Sequence, residues 1–399
     1  MPVSGQHALI PAVTASSSVT LDASKPSGPQ SASYVAGLTG LRGFAAMNVV
    51  LVHVSVLTPH AWLGLHGFGP IALFVLSGYL LIKPWSKAAV TGRALPSLRS
   101  FAIRRVLRIF PAYLVCLVLV AMLIPTSQPH GSAQWLRALT LTTIYSGDYG
   151  PPALFHTWSL CVEFAWYVFA PIMGGLVVLA VRSSRHGPAR GLTALAVCAL
   201  VTPVFLLWEE RGLDAAQSSA HFWLPAWLAA FALGAMVCHV ETMHQAGRTS
   251  AAVKLLVGLA SKPVVLPILA VVLLYVVQSP TLGGGYNFEP TTATQDNTRY
   301  FANIGLALVL LVSIIFSPRP SIIARVFATR PMEALGRWSY GIYLANLPLV
   351  HVMSSHFPSS TPGEFIVRVG AITAASIGLG AAAYALIERP AMDLSRRLT

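Results

Sequence analysis

Apolar runs near 20 residues long recur from about residue 38 to the end of the chain, each long enough to cross a hydrocarbon core of roughly 30 Å as a helix. Charged residues make up 10% of the 399 and hydrophobic ones 55%, whereas soluble domains carry about 25% charged residues. A water-facing surface cannot be built from that inventory. In lipid the backbone must satisfy its own polar groups, and a helix does so within one segment. The sequence therefore predicts an all-α integral membrane protein.

About ten spans are expected, at 38–57, 66–83, 101–124, 154–181, 191–208, 221–240, 263–278, 300–317, 338–356 and 364–387. The connections between them alternate in charge. The second holds Lys83, Lys87, Arg93, Arg99, Arg104, Arg105 and Arg108 with no acid, and the fourth holds Arg182, Arg185 and Arg190. The sixth sets Arg248, Lys254 and Lys262 against Glu241, and the eighth sets Arg319, Arg325, Arg330 and Arg337 against Glu333. The others are neutral to acidic, with Arg137 and Asp148, then Glu209, Glu210, Arg211 and Asp214, then Glu289, Asp296 and Arg299. The positive-inside rule makes the basic set cytoplasmic and, for an even number of spans, both termini with it. The net charge of +13 thus follows sidedness, and no nucleic-acid partner is expected.

Residues 1–33, rich in Ser, Ala, Pro and Thr, are expected to be disordered and lack the order of a secretory signal. A membrane domain over 34–390 and a short cytoplasmic tail over 391–399 complete the organisation. Cys116, Cys161, Cys198 and Cys238 sit singly in apolar segments and read as small core residues, so no metal site is expected. The Gly283-Gly284-Gly285 run has no following Lys-Ser/Thr and does not read as a phosphate loop.

Chemistry-bearing residues stand out because ionisable groups in a bilayer are costly and usually face a protein interior or a wet cavity. Arg42 and His53 lie eleven positions apart in the first span, on one helical face and roughly 16 Å apart along its axis. Snorkelling of Arg42 and simple packing of His53 are the plain alternatives. At the start of the third span Arg104, Arg105 and Arg108 cluster on one side of a helix end, as guanidinium forks that suit phosphate oxygens or as ordinary topology anchors. His156, Ser159 and Glu163 share a face of the fourth span, beside Trp158, and Glu163 is the one acid expected in the middle of any span. Ser339, Tyr343 and Asn346 share a face of the ninth, where interhelical hydrogen bonding competes with substrate contact.

The chain resembles the acyltransferase family 3 membrane proteins. The matching stretches are Leu38–Gly43 with the R-x10-H spacing of Arg42 and His53, Ala72–Leu81 with Ser77, the R-x-x-R of Arg105 and Arg108, His156–Leu160 with Glu163, Trp338–Leu344 and Ile387–Pro390. The family often has Asp at the position of Thr39 and His at that of Asn346. The resemblance implies transfer of an acyl group, often acetyl, from acyl-CoA to a hydroxyl of a glycan, lipid or macrolide-type antibiotic. It implies His53 as the catalytic histidine, with Arg42 and the Arg105/Arg108 pair as partners. Some members add a hydrolase-like domain that takes over the acyl group; without one, the membrane domain is expected to complete the transfer itself.

A hydroxyl is a poor nucleophile at neutral pH, so a base must remove its proton as it attacks the thioester. Neutral His53 is the expected base, oriented by Glu163, with Arg42 as the third catalytic residue, on donor phosphates or paired with an acid, Arg104, Arg105 and Arg108 binding acyl-CoA, and Ser77, His156, Trp158, Ser159, Tyr343 and Asn346 lining the substrate path. Acyl-CoA enters as co-substrate; no bound cofactor is expected. The rival from another class is a secondary transporter or flippase of anionic or acylated solutes, with the same ionisable groups lining its path. A non-catalytic scaffold is the third reading.

Overall fold

The computed structural model describes residues 29–147, 150–183, 187–212, 219–286, 290–317 and 321–399. Residues 1–28, most of the expected disordered segment, and the loop residues Asp148, Arg185, Asp214, Glu289 and Arg319 lie outside them. The described residues form helices and no strands. In chain order the α-helices are α1 (Pro29–Ser55), α2 (Phe68–Thr91), α3 (Leu98–Leu123), α4 (Gly131–Thr140), α5 (Trp158–Arg182), α6 (Arg190–Gly212), α7 (Leu224–Gln245), α8 (Ala251–Ser261), α9 (Val265–Gln278), α10 (Pro280–Gly283), α11 (Ala293–Ile315), α12 (Ile322–Phe327), α13 (Arg330–Met353), α14 (Pro362–Ala383) and α15 (Arg389–Leu398). Starts follow sequence signals: Ser97, Ser250 and Ser321 cap their helices by accepting backbone N–H groups, and Thr292/Gln295 and Thr361/Glu364 form capping boxes.

Among the described residues, eight helical stretches are long and apolar enough to cross a membrane, or nine if α8 and α9 count together as one bent span. The chain is a multi-pass membrane protein. Two of the ten expected spans fall short, each for a physical reason. The one at 263–278 is met by α9, 14 residues and so about 21 Å long, and it turns 91° from α8. Pro263 removes a backbone donor there and pushes Lys262 into extended backbone, ending α8. The one at 338–356 falls mostly on α13, which ends at Met353 and carries Glu333, Arg337, Ser339, Tyr343 and Asn346. Its buried polar side chains face other helices, so it need not be apolar all round.

Two close interfaces set the frame of the site. In α2 against α7, a Cβ on Gly78 would stand 1.9 Å from the Phe231 carbonyl oxygen, and one on Gly234 would stand 2.0 Å from that of Val75. Small residues let the backbones approach to this distance. In α1 against α13, a Cβ on Gly336 would fall 1.9 Å from the Thr39 carbonyl oxygen. That approach brings the polar face of α13 onto Arg42 and His53.

Two charge placements differ from expectation. Glu241, expected in a cytoplasmic connection, is buried on α7, where Tyr79 donates to it at 2.6 Å and Lys83 pairs with it at 3.2 Å. Glu388 is buried in a π-helical turn, Tyr384–Glu388, between α14 and α15. Glu163 is therefore not the sole acid inside the bundle, because helices run past the ends of the apolar windows. The tail at 391–399 also gains structure: it lies in α15, which packs on α3.

Candidate functional site

Two adjoining cavities lie between α1, α2, α3, α5 and α13, with about 870 Å³ and 490 Å³ of space between atoms, open solvent at their mouths included. Pro70, Ser159 and Tyr343 line both, so the two share a wall and form the two parts of one cleft region. The wide part is bordered by Arg42, Ser77, Arg105, Arg108, Glu163, Tyr167, Ser339 and Tyr340. The narrow part is bordered by Asn48, His53, Leu65, Gly67, His156 and Trp158. The 11-residue spacing on α1 thus puts Arg42 in one part and His53 in the other.

The polar face of α13 meets this cleft rung by rung. Ser339 accepts a hydrogen bond from Arg42 Nη2 at 3.2 Å. One turn on, the Tyr343 hydroxyl lies 3.0 Å from the Ser159 hydroxyl and donates to the His156 carbonyl oxygen at 2.6 Å. Another turn on, Asn346 Oδ1 is 2.5 Å from His53 Nδ1. The Asn346 amide is fully buried, and its Nδ2 donates to the carbonyls of Tyr343 and Ile342 at 2.5 and 3.4 Å. With its donors spent on backbone oxygens, only Oδ1 is left for His53. Nδ1 must then carry the proton, and Nε2 is left as the bare, proton-accepting nitrogen.

Asn346, not Glu163, therefore orients His53. Glu163 accepts from the Tyr167 hydroxyl at 2.8 Å and from Ser77 at 3.5 Å, in the wide part. His156 also differs in setting: it sits in a 3-10 turn, Pro152–Thr157, that runs into α5, the helix that carries Ser159 and Glu163. Its ring still borders the narrow part, edge-on to His53 at 5.9 Å between centroids.

The arginine cluster divides. Arg105 lies over the rings of Tyr167 and Phe101, at 5.6 and 5.7 Å, and its buried Nε has no hydrogen bond. Arg108 pairs with Glu388 at 3.6 Å. Arg104 is exposed, bonded to Ser100 and to Thr399 at the end of α15, and does not border the cleft. The wide part is thus lined by Arg42, Arg105 and Arg108 against Glu163, with Glu388 behind Arg108 and outside the lining.

Sequence reasoning did not single out Tyr167, Tyr340, Asn48 or Glu388 as site residues. Tyr167 was legible as the i+4 neighbour of Glu163. Asn48 pairs with both the N–H and the carbonyl of Leu65, at 2.9 Å each, and so ties the loop after α1 over the narrow part. That contact joins residues 17 apart across a loop, and no sequence pattern marks it.

The chain matches known proteins along nearly all of this architecture. The sequence model described as "Acyltransferase domain", of acyltransferase family 3, matches residues 35–385. The O-acetyltransferase OatA of Staphylococcus aureus (strain NCTC 8325 / PS 47) is 23% identical over 376 residues, which is 90% of this chain and 57% of OatA. A second S. aureus relative (strain COL), provisionally named an O-acetyltransferase, is 23% identical over 345 residues, 81% of this chain and 52% of its own length. This chain spans about half the length of these curated relatives. No solved structure gives a significant match. With most of the family's motifs gathered around these two cavities and its model matching most of the chain, this membrane-embedded chain belongs to acyltransferase family 3.

Proposed function

We propose that the chain moves an acyl group, acetyl by analogy with the relatives' names, from an acyl-CoA thioester to a hydroxyl of a glycan or a macrolide-type acceptor. One observation carries this reading: of two adjoining cavities, the wide one is lined by three guanidinium groups against one carboxylate and the narrow one by a histidine with a bare Nε2. Arg42, Arg105 and Arg108 suit the phosphates of coenzyme A, since guanidinium forks bind phosphate oxygens in pairs. The arginine-bearing start of α3 adjoins the basic Arg93–Arg99 connection, so the donor enters from the cytoplasm and both termini lie there. His53 lies toward the opposite end of α1, where the acceptor enters. Asn346 holds His53 Nδ1–H, and Nε2 takes the acceptor's proton as its oxygen attacks the thioester carbonyl.

Purified protein in nanodiscs, given acetyl-CoA and a panel of glycan and macrolide acceptors, should release the coenzyme A thiol in step with formation of an O-acetyl ester. An ion or solute carrier would leave acetyl-CoA intact. Comparing masses of surface glycans and secreted metabolites with and without the gene selects the acceptor class.

A further inference from the structure

The connection between α1 and α2, residues 56–67, supplies Leu65 and Gly67 to the wall of the narrow part. Side-chain amides from three helices hold its backbone. Asn48 of α1 takes both polar groups of Leu65, donating to the carbonyl and accepting the N–H on Oδ1, at 2.9 Å each. Asn303 of α11 donates to the His66 carbonyl at 2.9 Å, and Gln278 of α9 donates to the Trp62 carbonyl at 2.7 Å. Asn48 and Asn303 are themselves buried.

A loop laid over a cavity must find partners for its peptide groups, and these amides supply them without charge. They also fix where the loop lies. Asn48 and His53 share α1, so the two bonds to Leu65 set the distance of that wall from the imidazole. Leu65 joins Val49, Val52, Pro70 and Trp158 in an apolar surround for the His53 ring. A thioester beside a bare imidazole nitrogen is open to water as well as to an alcohol, and a closed site prevents such side reactions by expelling water.

We propose that Asn48, with Asn303 as a second latch, is a positioning residue that keeps the Leu65–Gly67 wall in place and so reserves the acyl group for the bound acceptor over water. Both ends of the Asn48 amide are spent on Leu65, so it acts through the loop. The assignment rests on His53 being the base in the narrow part. In the side reaction that the latch suppresses, a water oxygen forms the new C–O bond and the C–S bond breaks. The proton taken by His53 Nε2 goes to the thiolate, leaving acetic acid and the coenzyme A thiol.

The test uses the full chain in nanodiscs with acetyl-CoA and no acceptor, and reads thiol release. Asn48→Leu keeps the side-chain volume and removes both bonds to Leu65. Loss of two hydrogen bonds should raise acceptor-free hydrolysis about 5–150-fold. Acetyl-CoA affinity should stay within about twofold, because the guanidinium groups line the wide part. Asn303→Leu, which frees only the His66 carbonyl, should raise hydrolysis less. Damage to the site would lower the rate, so a gain separates the latch from a merely structural role. Hydrogen exchange in the peptide that holds Leu65 should quicken in Asn48→Leu alongside the leak. Hydrolysis at the wild-type level in a folded Asn48→Leu protein overturns the proposal, whether or not Leu65 exchanges faster; should that variant fail to fold, the same result in folded Asn303→Leu overturns it. A leak that survives His53→Gln in the Asn48→Leu background would sink the base and leave the latch standing.

Discussion

Replacing Asn346 by Leu keeps the side-chain volume and removes the acceptor for His53 Nδ1–H, which makes it the sharpest probe of the catalytic tautomer. In the wild type the amide is fully buried, its Nδ2 is fixed on the Tyr343 and Ile342 carbonyls, and Oδ1 meets His53 at 2.5 Å. Leaving a buried N–H without a partner costs about 1–3 kcal/mol. The ring escapes that cost by turning or by moving its proton to Nε2, and either change removes the bare nitrogen. At about 1.4 kcal/mol per tenfold, the base-competent form and kcat should fall about 5–150-fold. Acetyl-CoA binding should stay within about twofold, because the guanidinium groups lie in the wide part of the cleft. The assay is initial-rate thiol release in nanodiscs at saturating acceptor, with thermal unfolding measured on the same samples. Asn346→Asp, which keeps an acceptor, should retain more rate than Asn346→Leu. A folded Asn346→Leu enzyme with wild-type kcat would refute the tautomer argument.

His53→Ala and His53→Gln should both lose about 10²–10⁴ in transfer rate while still binding acetyl-CoA, because an amide cannot take the acceptor's proton. The wild-type rate should fall as pH drops and imidazolium forms, since the protonated ring has no bare nitrogen; that acid limb should be missing from the residual rate of both variants. Arg105→Ala should weaken acetyl-CoA binding more than acceptor binding, with Lys rescuing only in part, whereas Arg104→Ala, outside the cleft, should leave donor binding unchanged; equal effects of the two in calorimetry would count against a donor site. Arg108→Ala additionally strips the buried Glu388 of its ion pair, a loss of about 3–5 kcal/mol, so its donor affinity is best read in the Arg108→Ala/Glu388→Gln double variant. Cysteines placed at the exposed Ser146 or Asp296 should be labelled from outside sealed cells and those at Arg93 or Gly247 should not; labelling at Arg93 would overturn the proposed orientation.

The sequence by itself determined the solvent and the element type, because the free energy of placing apolar and charged residues in lipid depends on local composition alone. It also determined which residues carry chemistry. An arginine, a histidine and a glutamate in otherwise apolar segments are expensive enough to need a reason, and Arg42, His53 and Glu163 all border the cleft. Helical spacing made the Ser339, Tyr343 and Asn346 face legible as a unit, and each of the three does meet the site. Their partners were not legible. That Asn346 rather than Glu163 meets His53, that Arg104 turns to Thr399 while Arg105 and Arg108 face the cleft, and that Lys83 neutralises Glu241 inside the bundle are contacts across 158 to 295 residues of chain. Tertiary structure alone decided them. Periodicity fixes the direction in which a side chain leaves its own helix, but its neighbour is set by the rotation and depth at which two helices pack, and here glycines at backbone contact fix both.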